Sequence, residues 1–229
     1  MSSTTAERSI SVNGMQIRCL EAGQGSPVLI LRNVGGPGGS EGSEGYLESP
    51  LVTLLAQQFR VIVLDMPELA TQAPGNLIHT AHTLNQAAAS IGLDHYVLIG
   101  SADSASLALW QAIDGPKHID GLVLISPTVL LPEGHTDING ATPEAALIGR
   151  LGDVQTPTLV LFGTNDATIP PETGRMYVEQ LPDCYYALMY DAGHAIETER
   201  PQALYEAVCD FVERRGSFIV ERNSTAINP

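Results

Sequence analysis

The sequence predicts a single α/β domain: a mainly parallel central sheet with helices on both faces and an N-terminal antiparallel hairpin at one edge. Three observations carry this. Apolar runs such as PVLILR (Pro27–Arg32), RVIVLD (Arg60–Asp65) and GLVLIS (Gly121–Ser126) have the continuous hydrophobicity of strands buried on both faces. They alternate with longer helical stretches, the pattern of a sheet built from crossover connections. The 229 residues are 44% hydrophobic and 16% charged, a globular balance with enough apolar material for a sizeable core.

The elements follow in order. Asn13-Gly14 sits between two short strand-like runs, a hairpin signal because both central residues of such a turn need φ > 0. After PVLILR comes the glycine-rich loop NVGGPGGSEGSEG, then a helix over Tyr46–Phe59 and the strand RVIVLD. A helix is expected around His79–Ile91, a strand at Tyr96–Ile99, a helix at Asp103–Ile113 and the strand GLVLIS. Beyond a polar segment with at most one short helix (Pro143–Leu151), Thr158–Phe162 reads as a strand and Pro171–Leu181 as a helix. Tyr185–Met189 is the last strand and Pro201–Arg214 the last helix. The domain expected is therefore 1–215, with a short lid segment about 127–157 and a C-terminal tail at 216–229 whose role is open.

The formal net charge is −15, from 26 acidic and 11 basic residues, which argues against nucleic acid and anionic membrane surfaces as partners. The three cysteines, Cys19, Cys184 and Cys209, are odd in number, widely spaced and without a C-x-x-C pair, so neither a disulfide framework nor a zinc site is signalled. The N-terminal MSSTTAERSISVNG has no apolar core region, and no stretch is long and apolar enough to span a bilayer. A cytoplasmic protein is the expectation.

In a sheet of this kind, functional loops gather at the carboxyl ends of the strands. Those ends offer the glycine loop, the turn Gly100–Ser104 in YVLIGSADSASLAL, Asp166 in LFGTNDATIPPE and His194 in YDAGHAIETERP. The order turn residue, acid, histidine suits nucleophilic catalysis. A hydroxyl needs a base near neutral pKa, and that base needs a carboxylate to fix its tautomer. The glycine loop also invites a nucleotide reading, with Asp65 as the acid at the end of the next strand. But no part of it fits G-x-G-x-x-G in register, and no phosphate-loop lysine follows.

These segments, in this order and over roughly Ser9 to Arg214, resemble the α/β-hydrolases. YVLIGSADSASLAL is similar to the family's nucleophile elbow, with Gly100 at the first glycine of G-x-S-x-G and Ser104 at the second small position. That register puts Ala102, which has no chemistry, at the nucleophile. The resemblance implies His194 as base, Asp166 as its acid, and no cofactor. It implies an oxyanion hole from the backbone N–H of Asp103 with Gly35, or Gly36 as second choice, in a loop where Asn33 takes the place of the family's histidine. Substrate-binding candidates are Arg32, for a carboxylate, together with Asn33 and Asp103. Some members carry S-D-G at the elbow, and the valacyclovir-hydrolase-like group uses that Asp to grip an amino group; the plainer role of Asp103 is to cap the following helix. Arg32 has a plainer role as well, in a salt bridge.

Two departures stand out. DMPELATQAP lacks the family's D-x-x-G-x-G glycines, which turns attention to Glu68, and the lid is short, implying an open pocket. The other histidines (His79, His82, His95, His118, His135) carry no motif. Ala102 itself admits three readings: an engineered replacement of a catalytic serine, a catalytically silent binding member, or a register one residue off with Asp103 as nucleophile. The resemblance implies a hydrolase of a small-molecule ester, lactone or activated amide, with carbon–carbon bond hydrolysis and silent binding as alternatives. The partner expected is a small-molecule substrate, and a homodimer is compatible with the chain.

Overall fold

A computed structural model describes residues 6–33, 49–66, 76–131 and 145–214. Gly35, Gly36, Glu68, His135 and the C-terminal tail lie outside the described residues. The hairpin forms where Asn-Gly predicts it. β1 (Ala6–Val12) pairs antiparallel with β2 (Met15–Ala22), Val12 opposite Met15, and the turn residues Asn13 and Gly14 take φ 51° and 78°.

An eight-stranded sheet follows, completed by β3 (Ser26–Asn33), β4 (Phe59–Met66), β5 (Tyr96–Ser101), β6 (Ile119–Ile125), β7 (Thr158–Gly163) and β8 (Cys184–Met189). The order is β1-β2-β4-β3-β5-β6-β7-β8. β2 runs antiparallel to both neighbours, and every pairing from β4 to β8 is parallel.

The helices are α1 (Pro50–Leu55), α2 (Asn76–Ser90), α3 (Ser104–Asp114), α4 (Ala145–Ile148), α5 (Gly174–Gln180), α6 (Ile196–Glu199) and α7 (Pro201–Arg214). Alternate side chains of each strand feed two cores, as the period-2 geometry of a strand requires. Leu29, Leu31, Ile62, Leu64, Leu98, Leu122 and Leu124 pack with α2, α3 and α5 on one face. Val28, Ile30, Val61, Val63, Val97, Ile99 and Val123 pack with α1 and α7 on the other. The continuous apolar runs are thus buried twice over, which is why they show no polar alternation.

Four local expectations need correction. The helix expected over Tyr46–Phe59 occupies Pro50–Leu55 among the described residues. Ser49 caps it, accepting from the Val52 N–H at 3.4 Å, and Phe59 already belongs to β4. The helix expected over Pro171–Leu181 begins with a 3₁₀ turn at Pro171–Thr173, since Pro170 and Pro171 bring no N–H to an α-helical ladder. In place of one helix over Pro143–Leu151 there are α4 and a 3₁₀ turn at Leu151–Asp153, with Gly149 between them. The short α6 was not anticipated; it stands between His194 and Pro201, too brief for any periodicity to show.

Candidate active site

The parallel strands β5 to β8 deliver their carboxyl ends to one side of the molecule. β5 ends at Ser101, α3 starts at Ser104, and Ala102 between them lies in the left-handed region at φ 46°. That conformation costs an L-residue roughly 1–2 kcal/mol. Its surroundings hold it there. The Ala102 N–H donates to the Ile125 carbonyl at 2.9 Å, and the Ala105 N–H to the Ala102 carbonyl at 3.2 Å. The Ser104 hydroxyl donates to the Ser101 carbonyl and accepts from the Ser101 N–H, both at 2.8 Å, closing the turn on itself. Gly100 lets strand and helix meet, since a Cβ there would lie 2.8 Å from the Ala108 Cβ and 3.1 Å from the Ala105 Cα. Serine and glycine at these two positions therefore have separate mechanical reasons.

Asp103 sits at the N-cap position of α3, yet its side chain makes no capping hydrogen bond. Its Oδ1 instead accepts from the Thr128 hydroxyl at 3.3 Å, across from the start of the lid segment. The helix-capping role read from the sequence is not the one the side chain adopts.

Asp166 follows β7 and His194 follows β8. His194 Nδ1 lies 2.9 Å from Asp166 Oδ2. The other carboxylate oxygen, Oδ1, accepts from the backbone N–H groups of Thr168 at 2.8 Å and Ile169 at 2.9 Å. The Asp166 side chain is wholly buried, whereas that of His194 is 24% exposed. Burial pushes the Asp166 carboxyl up, but the His194 bond and the two amides outweigh it and hold the group below its ordinary value. An ionised Asp166 fixes the proton on Nδ1 and leaves Nε2 as the ring's basic atom.

The two loops that carry this pair are laced together. The Asn165 N–H donates to the Ala192 carbonyl at 2.8 Å, and the Asp191 N–H to the Thr164 hydroxyl at 2.9 Å. The Glu199 carboxylate accepts from the Gly193 N–H at 2.6 Å. A Cβ on Gly163 would fall 2.2 Å from the Gly193 carbonyl oxygen, so only glycine allows the histidine loop to cross there.

Two further contacts bring this pair to the Ala102 turn. The Ser126 hydroxyl donates to the His194 carbonyl at 3.0 Å, and Ser126 directly follows Ile125, whose carbonyl holds the Ala102 N–H. Glu197 in α6 is hydrogen-bonded to Ser101, the residue before Ala102. Sequence reasoning missed Ser126, Glu197 and Glu199. Only their places beside strand ends and beside His194 could have drawn attention to them.

Arg32, one residue before the end of β3, makes a buried, two-pronged ion pair: Nε donates to Asp65 Oδ1 at 2.7 Å and Nη2 to Oδ2 at 3.0 Å. Arg32 and Asp65 neighbour each other in register on β3 and β4, which sets the pairing. A substrate carboxylate at Arg32 would compete with Asp65, and the Asp65 carboxylate is engaged in the same way. Asn33 closes β3 opposite Met66. His82 faces Asp114 between α2 and α3, and His79 is exposed on α2. His95 and His118 precede β5 and β6, at the opposite end of the sheet from His194. Among the described residues no group of three or more His, Cys, Asp or Glu could hold a metal ion, and no helix is long and apolar enough to cross a membrane.

The chain is similar to known proteins over most of its length. No family model matches the sequence. A curated relative, 2-hydroxy-6-oxo-6-(2'-aminophenyl)hexa-2,4-dienoic acid hydrolase of Metapseudomonas resinovorans, is 23% identical over 93% of each chain. A solved serine hydrolase involved in carbazole degradation, the CarC enzyme, superposes with a TM-score of 0.74, covering 93% of this chain and 100% of its own at 22% identity. The fold is that of the α/β-hydrolases. Protein ABHD14A of Mus musculus is 25% identical over 71% of this chain and 62% of its own length.

Proposed function

We propose that this chain is the scaffold of a serine-type hydrolase in which Ala102 stands where the catalytic serine would be, the substitution being an engineered one. The carrying observation is the pairing of a non-glycine residue at φ 46° on the β5–α3 turn with the part-buried Asp166–His194 bond. Left-handed backbone at a strand–helix elbow is costly and serves to present a side chain outward. Methyl has nothing to present. A register with Asp103 as nucleophile is disfavoured, because Asp103 already has helix-like φ and ψ of −66° and −27°.

With serine at 102, its hydroxyl attacks the substrate carbonyl as His194 takes the proton at Nε2. Asp166, ionised and held by two amides, stabilises the imidazolium through Nδ1. The Asp103 N–H with that of Gly35, or Gly36, would receive the oxyanion. His194 then returns the proton to the leaving group, and water repeats the sequence on the acyl-enzyme. The substrate class is a small-molecule ester, lactone or activated amide.

A second reading is favoured by the relatives. A 2-hydroxy-6-oxo-dienoic acid has a ketone and a carboxylic acid but no ester or amide linkage, so its hydrolysis breaks a carbon–carbon bond. The same three positions would serve that reaction.

The test is Ala102→Ser assayed with aryl esters, lactones and 6-oxo-dienoic acids. A burst followed by turnover, lost again on adding His194→Ala, is expected. The parent should retain only the small residual rate of binding and oxyanion stabilisation. An Ala102→Ser protein that binds but does not turn over would leave a silent small-molecule binder.

A further inference from the structure

Two successive strands of the sheet end in left-handed, non-glycine residues. Ala102 after β5 is one; Ser126 after β6, at φ 44°, is the other. Ser126 is 2% exposed, and its N–H donates to the Leu161 carbonyl at 2.8 Å, so its backbone is set by β7. A buried serine in this conformation is strained, and glycine would be the unstrained choice. What serine adds is its hydroxyl, which donates to the His194 carbonyl at 3.0 Å.

The imidazole of His194 is therefore held at both ends. Asp166 fixes the ring through Nδ1, and Ser126 fixes the main chain from which the ring hangs. Ser126 is also covalently next to Ile125, whose carbonyl holds the Ala102 N–H. One dipeptide thus sets the Ala102 turn with a backbone acceptor and the histidine with a side-chain donor. We propose that Ser126 is a positioning residue that sets the distance between the residue-102 side chain and His194; the proposal rests on the catalytic reading of those two positions.

The experiment separates positioning from stability with two variants. Ser126→Ala loses the hydroxyl and keeps the φ strain; Ser126→Gly loses the hydroxyl and relieves it. In the protein as it stands, with Ala102, the Nδ1–H proton of His194 bonded to Asp166 is followed by NMR and assigned by its absence in His194→Ala. Both Ser126 variants are expected to broaden or shift this resonance, although Ser126→Gly melts higher than Ser126→Ala. In the Ala102→Ser background both should lower kcat roughly tenfold while KM stays within about twofold, as expected for a misplaced catalytic group. An unchanged resonance in both variants would overturn the proposal, as would activity that recovers with stability in Ser126→Gly. If Ala102→Ser itself is inert, the catalytic reading fails, and the resonance still decides whether Ser126 positions the ring.

Discussion

Strain at single residues gathers at the carboxyl edge of the sheet, beside the candidate site. Asn13, at φ 51°, is in a hairpin where Asn-Gly is chosen for that conformation, and its cost is small. Ala102, Ser126 and Asp191 are different: all three lie at the carboxyl ends of strands, and of the three only aspartate is a residue type that tolerates the left-handed region readily. Ala102 has least reason to be there. It has no hydroxyl or carboxyl to gain from the placement, so its left-handed backbone is cost without return. Ala102→Gly should therefore stabilise the protein by roughly 0.5–1 kcal/mol, the relief of left-handed strain less glycine's extra chain entropy. Chemical denaturation of the two proteins measures this directly. A less stable Ala102→Gly would mean that the methyl group packs usefully, and the turn would no longer stand out as a site of uncompensated strain.

At the level of elements, strand patterns were readable and loop crossings were not. The buried strands announced themselves because both faces are apolar, and Asn13-Gly14 announced the hairpin through a conformational requirement that few dipeptides meet. Asp166 and His194 could be picked out by position after strands. Nothing in the sequence indicated Ser126 reaching His194, because that contact joins loops distant in the chain and needs the packed sheet to exist. The ends of helices were misjudged where proline or glycine interrupts them, at Pro170-Pro171 and at Gly149. Gly163 shows how tightly the elements constrain one another. It is the last residue of β7, and the carbonyls of Ala192 and Gly193 occupy the space a side chain would need. Backbone cannot yield as a flexible side chain can. Gly163→Ala should thus cost about 1–3 kcal/mol as an overpacked site. It should also abolish turnover in the Ala102→Ser background by pushing the histidine loop away from Asp166. Retained stability with retained activity would show that the β8 loop can move without loss.

For the whole molecule, two acids, the buried Asp166 and the partly buried Glu197, oppose each other in their effect on stability. Asp166 is held below its ordinary value, so it contributes stability that is present above the unfolded carboxylate range and is lost as pH falls through its folded pKa. Glu197 is shifted the other way. Burial pushes its carboxyl up, its bond with Ser101 offsets only part of this, and its Oε1 has no hydrogen-bond partner among the described residues. A group raised in the folded state favours folding below the unfolded pKa, and that advantage is lost as pH rises through the folded value. The other 24 acidic residues, out of 26, add repulsion as they ionise and bring the chain to its net charge of −15. Glu197→Gln removes one titrating group from the interior and keeps its size. Between pH 4 and pH 8 its melting temperature relative to the parent should therefore climb once the unfolded carboxylate value is passed and level off above the folded one, whatever the offset at pH 4. The comparison is a pair of thermal melts at each pH, and the background repulsion cancels because it is common to both proteins. A constant difference across that range would mean that Glu197 ionises as an ordinary carboxylate, and that its place between α6 and the end of β5 is solvated well enough to carry charge.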